Sequence, residues 1–162
     1  MVMNSKKYRF IHPIQVRYAD TDLQGHVYFS NYLIYFDEAL SAYLREIGFP
    51  WPNFSEVGLD CYQVSAHCDF KGSAHFEDQL HVHAQMARIG DSSYTVECAI
   101  YKEDSDELIA SGYITAVVVN AENRQPTRVP DEIRQAAAIY EGKTQNSLEE
   151  KFGVEIEEAG KR

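Results

Sequence analysis

The chain has 162 residues, 44% of them hydrophobic and 25% charged, the profile of one ordinary soluble domain with enough length for its own core. Fifteen basic against 25 acidic residues leave a net charge of −10, which argues against a duplex nucleic-acid partner or an anionic membrane surface. No apolar run approaches the ~18 residues of a membrane span, and no apolar block follows Lys6 and Lys7 as a secretory signal would require, so a cytoplasmic location is expected.

Cys61, Cys68 and Cys98 are odd in number and widely spaced, so they make neither a disulfide framework nor a metal ribbon. They read as reduced thiols acting as small hydrophobes. The spacing predicts one domain over residues 1–141, then a polar acidic tail over 142–162 that carries Glu149, Glu150, Glu155, Glu157 and Glu158.

In chain order, the even positions from Tyr8 to Tyr18 read Tyr, Phe, His, Ile, Val, Tyr, and the odd ones are mostly polar, which predicts a half-buried strand. Next, Tyr32, Leu33, Phe36, Ala39, Leu40, Tyr43, Leu44 and Ile47 recur at three- and four-residue steps. That is the apolar stripe of a long helix, with Ser30 or Asn31 to cap it and Gly48 and Pro50 to stop it. Tyr62, Val64, Ala66, Cys68 and Phe70 return to period two. Leu80, Val82, Ala84 and Met86 follow, then Tyr94, Val96, Cys98 and Ile100, and finally the long apolar run Leu108 to Val119. Gly90-Asp91-Ser92 and Glu103 to Asp106 read as hairpin turns, and Asp131 to Tyr140 as a shorter helix. The stripe of the long helix needs a large apolar partner, and only the sheet offers one. The expected class is α+β: an antiparallel sheet of about five strands wrapped around one long central helix, the order found in hot-dog folds.

Between the first strand and the long helix runs Tyr18-Ala19-Asp20-Thr21-Asp22-Leu23-Gln24-Gly25-His26-Val27-Tyr28-Phe29-Ser30-Asn31-Tyr32. Two carboxylates, a glycine and a histidine stand just before a helix start, where unpaired N–H groups and a partial positive charge suit a developing oxyanion. A carboxylate held there could attack a carbonyl or activate a water, so the parts of acyl transfer are present. From spacing alone, Asp20, Thr21 and Asp22 read sooner as turn and capping residues than as reacting groups.

The stretch Tyr18 to Tyr32 resembles the signature of the 4-hydroxybenzoyl-coenzyme A thioesterase family. It shares the Asp20-Thr21-Asp22 triplet, Gly25, Val27, Tyr28 and the Asn31-Tyr32 pair at the helix. The strand, helix and four-strand order extends the resemblance over about residues 7 to 120. The resemblance implies an acyl-CoA thioesterase that needs no cofactor and pairs edge to edge as a homodimer, or assembles further to a homotetramer. It implies Asp22 as nucleophile or general base and Asp20 as its support at the strand end. Gly25 lets the loop approach the acyl group, and the backbone N–H near Phe29 polarises the thioester carbonyl beside Tyr28 and Asn31.

His26 reads either as a catalytic partner that orients water or accepts a proton, or as a loop residue bonded to a backbone carbonyl. Asp22 and His26, with Asn31 beyond, also loosely resemble the pair of hot-dog enoyl-CoA hydratases and dehydratases, the second reading. A non-catalytic acyl-CoA-binding subunit is the third. Lys71 and Arg88 are the cations assigned to the phosphates of coenzyme A, among others that read as plain surface charge. Trp51 and Phe54 line an acyl pocket or close the core. His81 and His83 share a strand face, and His67 is expected on a neighbouring strand with His75, Glu77 and Asp78 nearby. No further ligand is fixed by that pattern, so no metal is assigned. There is no Gly-x-Ser-x-Gly elbow and no phosphate loop.

Overall fold

A computed structural model describes residues 7–149. Of the expected acidic tail, Glu150, Glu155, Glu157 and Glu158 lie outside the described residues. The elements run β1 (Phe10–Gln15), α1 (Asn31–Glu46), α2 (Trp51–Glu56), β2 (Leu59–Phe70), β3 (Gln79–Ile89), β4 (Ser93–Lys102), β5 (Leu108–Asn120), α3 (Asp131–Glu141) and α4 (Gln145–Glu149). All five strands form one antiparallel sheet in the order β1-β3-β4-β5-β2. This is the hot-dog arrangement expected from the periodicities.

Helix α1 buries Tyr32, Tyr35, Phe36, Ala39, Leu40, Tyr43 and Leu44 against the sheet, and each large side chain contributes about 1.5–3 kcal/mol by leaving water. Its stop is backbone chemistry: Gly48 adopts φ +83°, and the Phe49 N–H returns to the Leu44 carbonyl at 2.9 Å. Facing it are Leu80, Val82, Ala84 and Met86 of β3, Tyr94, Val96, Cys98 and Ile100 of β4, and Ala110, Ile114, Ala116 and Val118 of β5, all buried. All three thiols are unbridged, and burial pushes those of Cys61 and Cys68 up to about 11. No helix among the described residues is long and apolar enough to cross a membrane.

Five expectations need correction. The first strand does not reach Tyr18. It ends at Gln15 because the chain turns into a 3₁₀ helix over Tyr18–Asp20, leaving Tyr18 exposed. Ser30 caps α1 by position but makes no side-chain cap bond, and the Asn31 amide goes elsewhere. The short helix α2 was not expected after Gly48 and Pro50. Pro52 stands in its first turn, where a missing N–H costs nothing, and Phe54 is its buried anchor. Beyond residue 141 the chain continues into α4, whose Leu148 is buried in the core.

The remaining correction concerns β2. Its even positions do not share one face, because a bulge between Gln63 and Ser65 shifts the pairing with β5. Residues directly opposite one another share a face. Cys61 opposes buried Val118 and so faces inward, Tyr62 opposes Val117 and faces outward, and after the bulge Ala66, Cys68 and Phe70 face inward. At Gly112 the two strands approach so closely that a Cβ would fall 1.8 Å from the His67 carbonyl oxygen, so only glycine fits. β2 is also an edge strand of 12 residues with Tyr62, Val64 and Phe70 exposed. This placement separates His67 from His81 and His83, since β5 and β4 lie between their strands.

Candidate active site

The loop from Val16 to Asn31 is built around one buried carboxylate. Asp20 is only 4% exposed; its Oδ2 accepts the Arg17 backbone N–H at 3.0 Å, Arg17 Nε at 3.2 Å and the Tyr35 hydroxyl at 2.9 Å, while Oδ1 takes Arg17 Nη2 at 2.8 Å. Burial alone would raise this carboxyl, but the hydrogen bonds from Arg17 and Tyr35 outweigh it and hold Asp20 below the usual carboxylate range. Its backbone carbonyl is equally committed, to the Tyr28 N–H at 2.9 Å and the Asn31 side-chain amide at 2.8 Å. Asp20 therefore ties the end of β1 to the start of α1. Asn31 does the same from the helix side.

Two residues further on, the chain doubles back. Thr21 and Val27 form a β-bridge, the Asp22 N–H donates to the His26 carbonyl at 3.1 Å, and the Gly25 N–H donates to the Asp22 carbonyl at 2.9 Å. Gly25 takes φ +80°, the left-handed geometry that lets so short a loop close. Asp22 is half-buried, and its Oδ1 accepts the Gln24 N–H at 2.8 Å, an Asx turn that fixes the side chain. Among the described residues its second oxygen has no partner. One oxygen is pinned and the other is open.

The loop is backed by residues 72–78. The Val27 N–H donates to the Ala74 carbonyl at 2.8 Å, and the Ala74 N–H donates to the Tyr32 hydroxyl at 3.2 Å. His26 is half-buried, with Nδ1 3.1 Å from the Val27 carbonyl and its ring edge-on to His75 at 6.4 Å. With Nδ1–H donating to that carbonyl, Nε2 is left as an acceptor. At the start of α1, Asn31 N–H reaches the Tyr28 carbonyl and Tyr32 N–H the Phe29 carbonyl. The N–H groups of Phe29 and Ser30 find no acceptor among the described residues. A 16-residue helix places its partial positive charge behind them.

Tyr28 and Phe29 are exposed at the rim, with ring centroids 4.9 Å apart, and Phe29 meets Phe70 edge-on at 6.0 Å. Lys71 follows Phe70, exposed, at this same end of β2. Arg88 is not brought here. The loop leaves the sheet where Gln15 opposes Gln79, and Arg88 stands nine residues along β3, about 30 Å away at strand rise. No group of three or more His, Cys, Asp or Glu side chains converges as a metal site among the described residues. Arg17 and Tyr35 escaped the sequence reading. Tyr35 lies outside the apolar stripe read from the spacing, and nothing local pairs it with a carboxylate 15 residues earlier.

A cleft of about 420 Å³ lies elsewhere, between α2, the start of β2 and the turn after β5. Trp51, Phe54, Leu59 and Cys61 form its apolar walls, with Asp60 and Arg124 at the mouth. Within one chain it sits at the opposite end of β2 from Phe70 and the loop.

Residues 16–137 match the model of the thioesterase-like superfamily. A 1,4-dihydroxy-2-naphthoyl-CoA hydrolase of Synechococcus sp. (strain WH7803) is 31% identical over 127 residues, covering 74% of this chain and 82% of that protein. The acyl-CoA thioesterase YbgC of Haemophilus influenzae is 24% identical over 128 residues, covering 78% and 93%. Among solved structures, a 1,4-dihydroxy-2-naphthoyl-CoA thioesterase from Synechocystis superposes with a TM-score of 0.75 at 27% identity, over 80% of this chain and 95% of that one. The matched segment begins at the end of β1 and spans the loop, the long helix and all the remaining strands, and with that coverage the chain belongs to the thioesterase-like superfamily of hot-dog proteins.

Proposed function

We propose that this protein is an acyl-CoA thioesterase that hydrolyses a thioester to a carboxylic acid and coenzyme A, with Asp22 as its reacting carboxylate. The observation that carries the reading is the pairing of one open oxygen on Asp22 with the unpaired Phe29 and Ser30 N–H groups, all on one short loop. The thioester carbonyl oxygen binds at those N–H groups, which favour the charge it gains as the carbonyl carbon becomes tetrahedral. The open oxygen of Asp22 either attacks that carbon, expelling the coenzyme A thiolate and leaving a mixed anhydride for water to open, or takes a proton from the attacking water. Gly25 and the Gln24 N–H hold the carboxylate at the required place. His26, with Nε2 open, accepts a proton or orients the water. The Asp20-Thr21-Asp22, Gly25 and Asn31-Tyr32 pattern supports a place near the 4-hydroxybenzoyl-CoA thioesterases within the superfamily. Lys71, beside Phe29 and Phe70, is the cation on this chain best placed for a coenzyme A phosphate. The three unbridged thiols suit a reducing cytoplasm.

The working unit is a homodimer joined along β2. A bare 12-residue edge carrying Tyr62, Val64 and Phe70 is a pairing template that a stable soluble protein covers. Free-thiol release from a panel of aromatic and aliphatic acyl-CoAs, by the parent chain and by Asp22→Asn, tests the chemistry. Hydrolysis by the parent that is lost in the variant is the expected result. A variant as active as the parent removes Asp22 from the reaction. Hydration of an enoyl-CoA, or ligand recovered unchanged, would favour the hydratase or the binding subunit.

A further inference from the structure

The chain bends at Arg9 before it enters β1, so Tyr8 does not join Phe10 in the main core but packs with Ala99 and Tyr101 in a second buried cluster. On β4 the even positions face α1, so this cluster lies on the outer face of the sheet. β1 pairs only with β3, yet Lys7 reaches Glu97 on β4, so Lys7 to Arg9 forms a strap across β3. It is fastened at both ends. Lys7 Nζ meets Glu97 Oε2 at 2.7 Å, while Arg9 Nη1 donates to the Tyr140 carbonyl of α3 at 2.7 Å, with its guanidinium 4.9 Å from the Tyr140 ring centre.

Beneath the strap lies His83, only 3% exposed, its ring 5.5 Å from that of Tyr8 and 5.1 Å from that of Tyr101. Its Nδ1 is enclosed and meets no hydrogen-bond partner among the described residues, and the same holds for the Tyr8 hydroxyl. Directly opposite on β1 and β4 stand Ile11 and Ala99, which offer no polar side chain. His81 shares the strand face at 6.5 Å between rings and is itself 3.5 Å from Glu103. Glu97 is taken up by Lys7 and Gln85. Burial, and then the like charge of His81, hold the His83 imidazole below the usual histidine range against the pull of Asp106 in the turn after β4.

We propose that His83 is an acid trigger for the strap Lys7 to Arg9, which stays down while the imidazole is neutral and lifts when it takes up a proton. A neutral ring carries one N–H, whereas the protonated ring carries two and a full charge. Under the strap that charge is enclosed by Tyr8, Tyr101, Ile11 and Ala99, with no acceptor at Nδ1, and burying an unpaired charge costs far more than burying a neutral nitrogen. Lifting Tyr8 admits water to the ring and exposes Ala99 and Tyr101. Above the ordinary histidine value of about 6.5 the closed strap carries no penalty. Below it the opened form binds a proton that the closed form resists, so opening gains as pH falls, until His83 titrates in the closed form as well. None of these residues belongs to the Asp22 loop, so the device stands apart from the thioesterase reading.

Tryptic cleavage after Arg9 of the full chain tests it, because a residue pinned to Tyr140 and next to a buried Tyr8 enters a protease only when the strap is open. The rate is divided by that of the same cut in a free peptide of residues 5–12, which removes the pH dependence of trypsin itself. From pH 7.5 to pH 5.5 the corrected rate should rise by up to about tenfold, the ceiling set by an ordinary histidine in the opened form. His83→Phe keeps a ring without the proton and should abolish the rise. His83→Gln serves if His83→Phe does not fold, which cuts inside the sheet would reveal. Lys7→Met removes one fastening and should speed the cut at both pH values by a similar factor. In a proton NMR titration the His83 ring signal, assigned by its loss in His83→Gln, should titrate below free histidine in the same buffer. A parent rate that stays flat, a rise that survives in the His83 variants, a Lys7→Met chain cut no faster than the parent, or a His83 signal that titrates at or above free histidine overturns the proposal.

Discussion

Asp20 and Asp22 stand two residues apart in one loop, and the fold uses them in opposite ways. Asp20 is buried, takes four hydrogen bonds on its carboxylate, and ties β1 to α1. Asp22 is half-buried, takes one hydrogen bond, and leaves an oxygen open beside a helix start. A saturated carboxylate has no lone pair to offer a substrate, whereas an open one is held in place only by the turn around it. On the proposed reading, the first serves stability and the second chemistry, although the residue type is the same.

Substitutions at the two positions should therefore separate activity from stability. The largest effect is expected from Asp22→Asn, which keeps the Asx turn but removes the charge. Turnover should fall about a thousandfold or more, equivalent to roughly 4 kcal/mol at the barrier, with Tm almost unchanged in a calorimetric scan. A large drop in Tm would erase the contrast. Next, Asp20→Ala strands the buried Tyr35 hydroxyl and releases Arg17, so it should cost about 2 kcal/mol of stability, a fall of roughly 5 °C in Tm. Activity in that variant should decline only as the loop loosens, and recover in part as temperature is lowered.

A smaller effect is expected from Gly25→Ala. Nothing lies within 4 Å of the added methyl, so the cost is backbone strain at φ +80°, about 1 kcal/mol, and it should appear as reduced turnover because this turn places Asp22. The smallest is an acid response. Asp20 titrates lower when folded than in the unfolded chain, so its contribution is fully present above the unfolded value of about 3.9 and is lost as pH falls through the folded value. Between about pH 5 and about pH 3 the parent should lose more Tm than Asp20→Asn does, and parallel curves would deny Asp20 its role.

The fold was largely legible because its signals are local. Period two at Leu80 to Met86 and at Tyr94 to Ile100, and the three-and-four spacing from Tyr32 to Leu44, follow from which side of a strand or helix must leave water. The loop was legible as a motif, and its glycine at φ +80° is what the turn demands. The misread parts were non-local. The alternation at Tyr62 and Val64 looked regular, yet the bulge that splits it exists only in the pairing with β5. Tyr35 was not part of the stripe read from the spacing, and only the folded helix places its hydroxyl on Asp20. His67 was set beside His81 and His83 from a strand order that the chain does not adopt.

By itself, then, the sequence determined the element types, the long central helix and the position of a carboxylate-bearing loop at its start, because dihedral preference and burial on one face act over a few residues. Only the tertiary structure decided which aspartate is consumed by the scaffold, which strand is left as the bare edge, and that the apolar cleft and the Asp22 loop sit at opposite ends of that edge. Those features depend on which distant segments meet, and neither spacing nor composition encodes that in any short window.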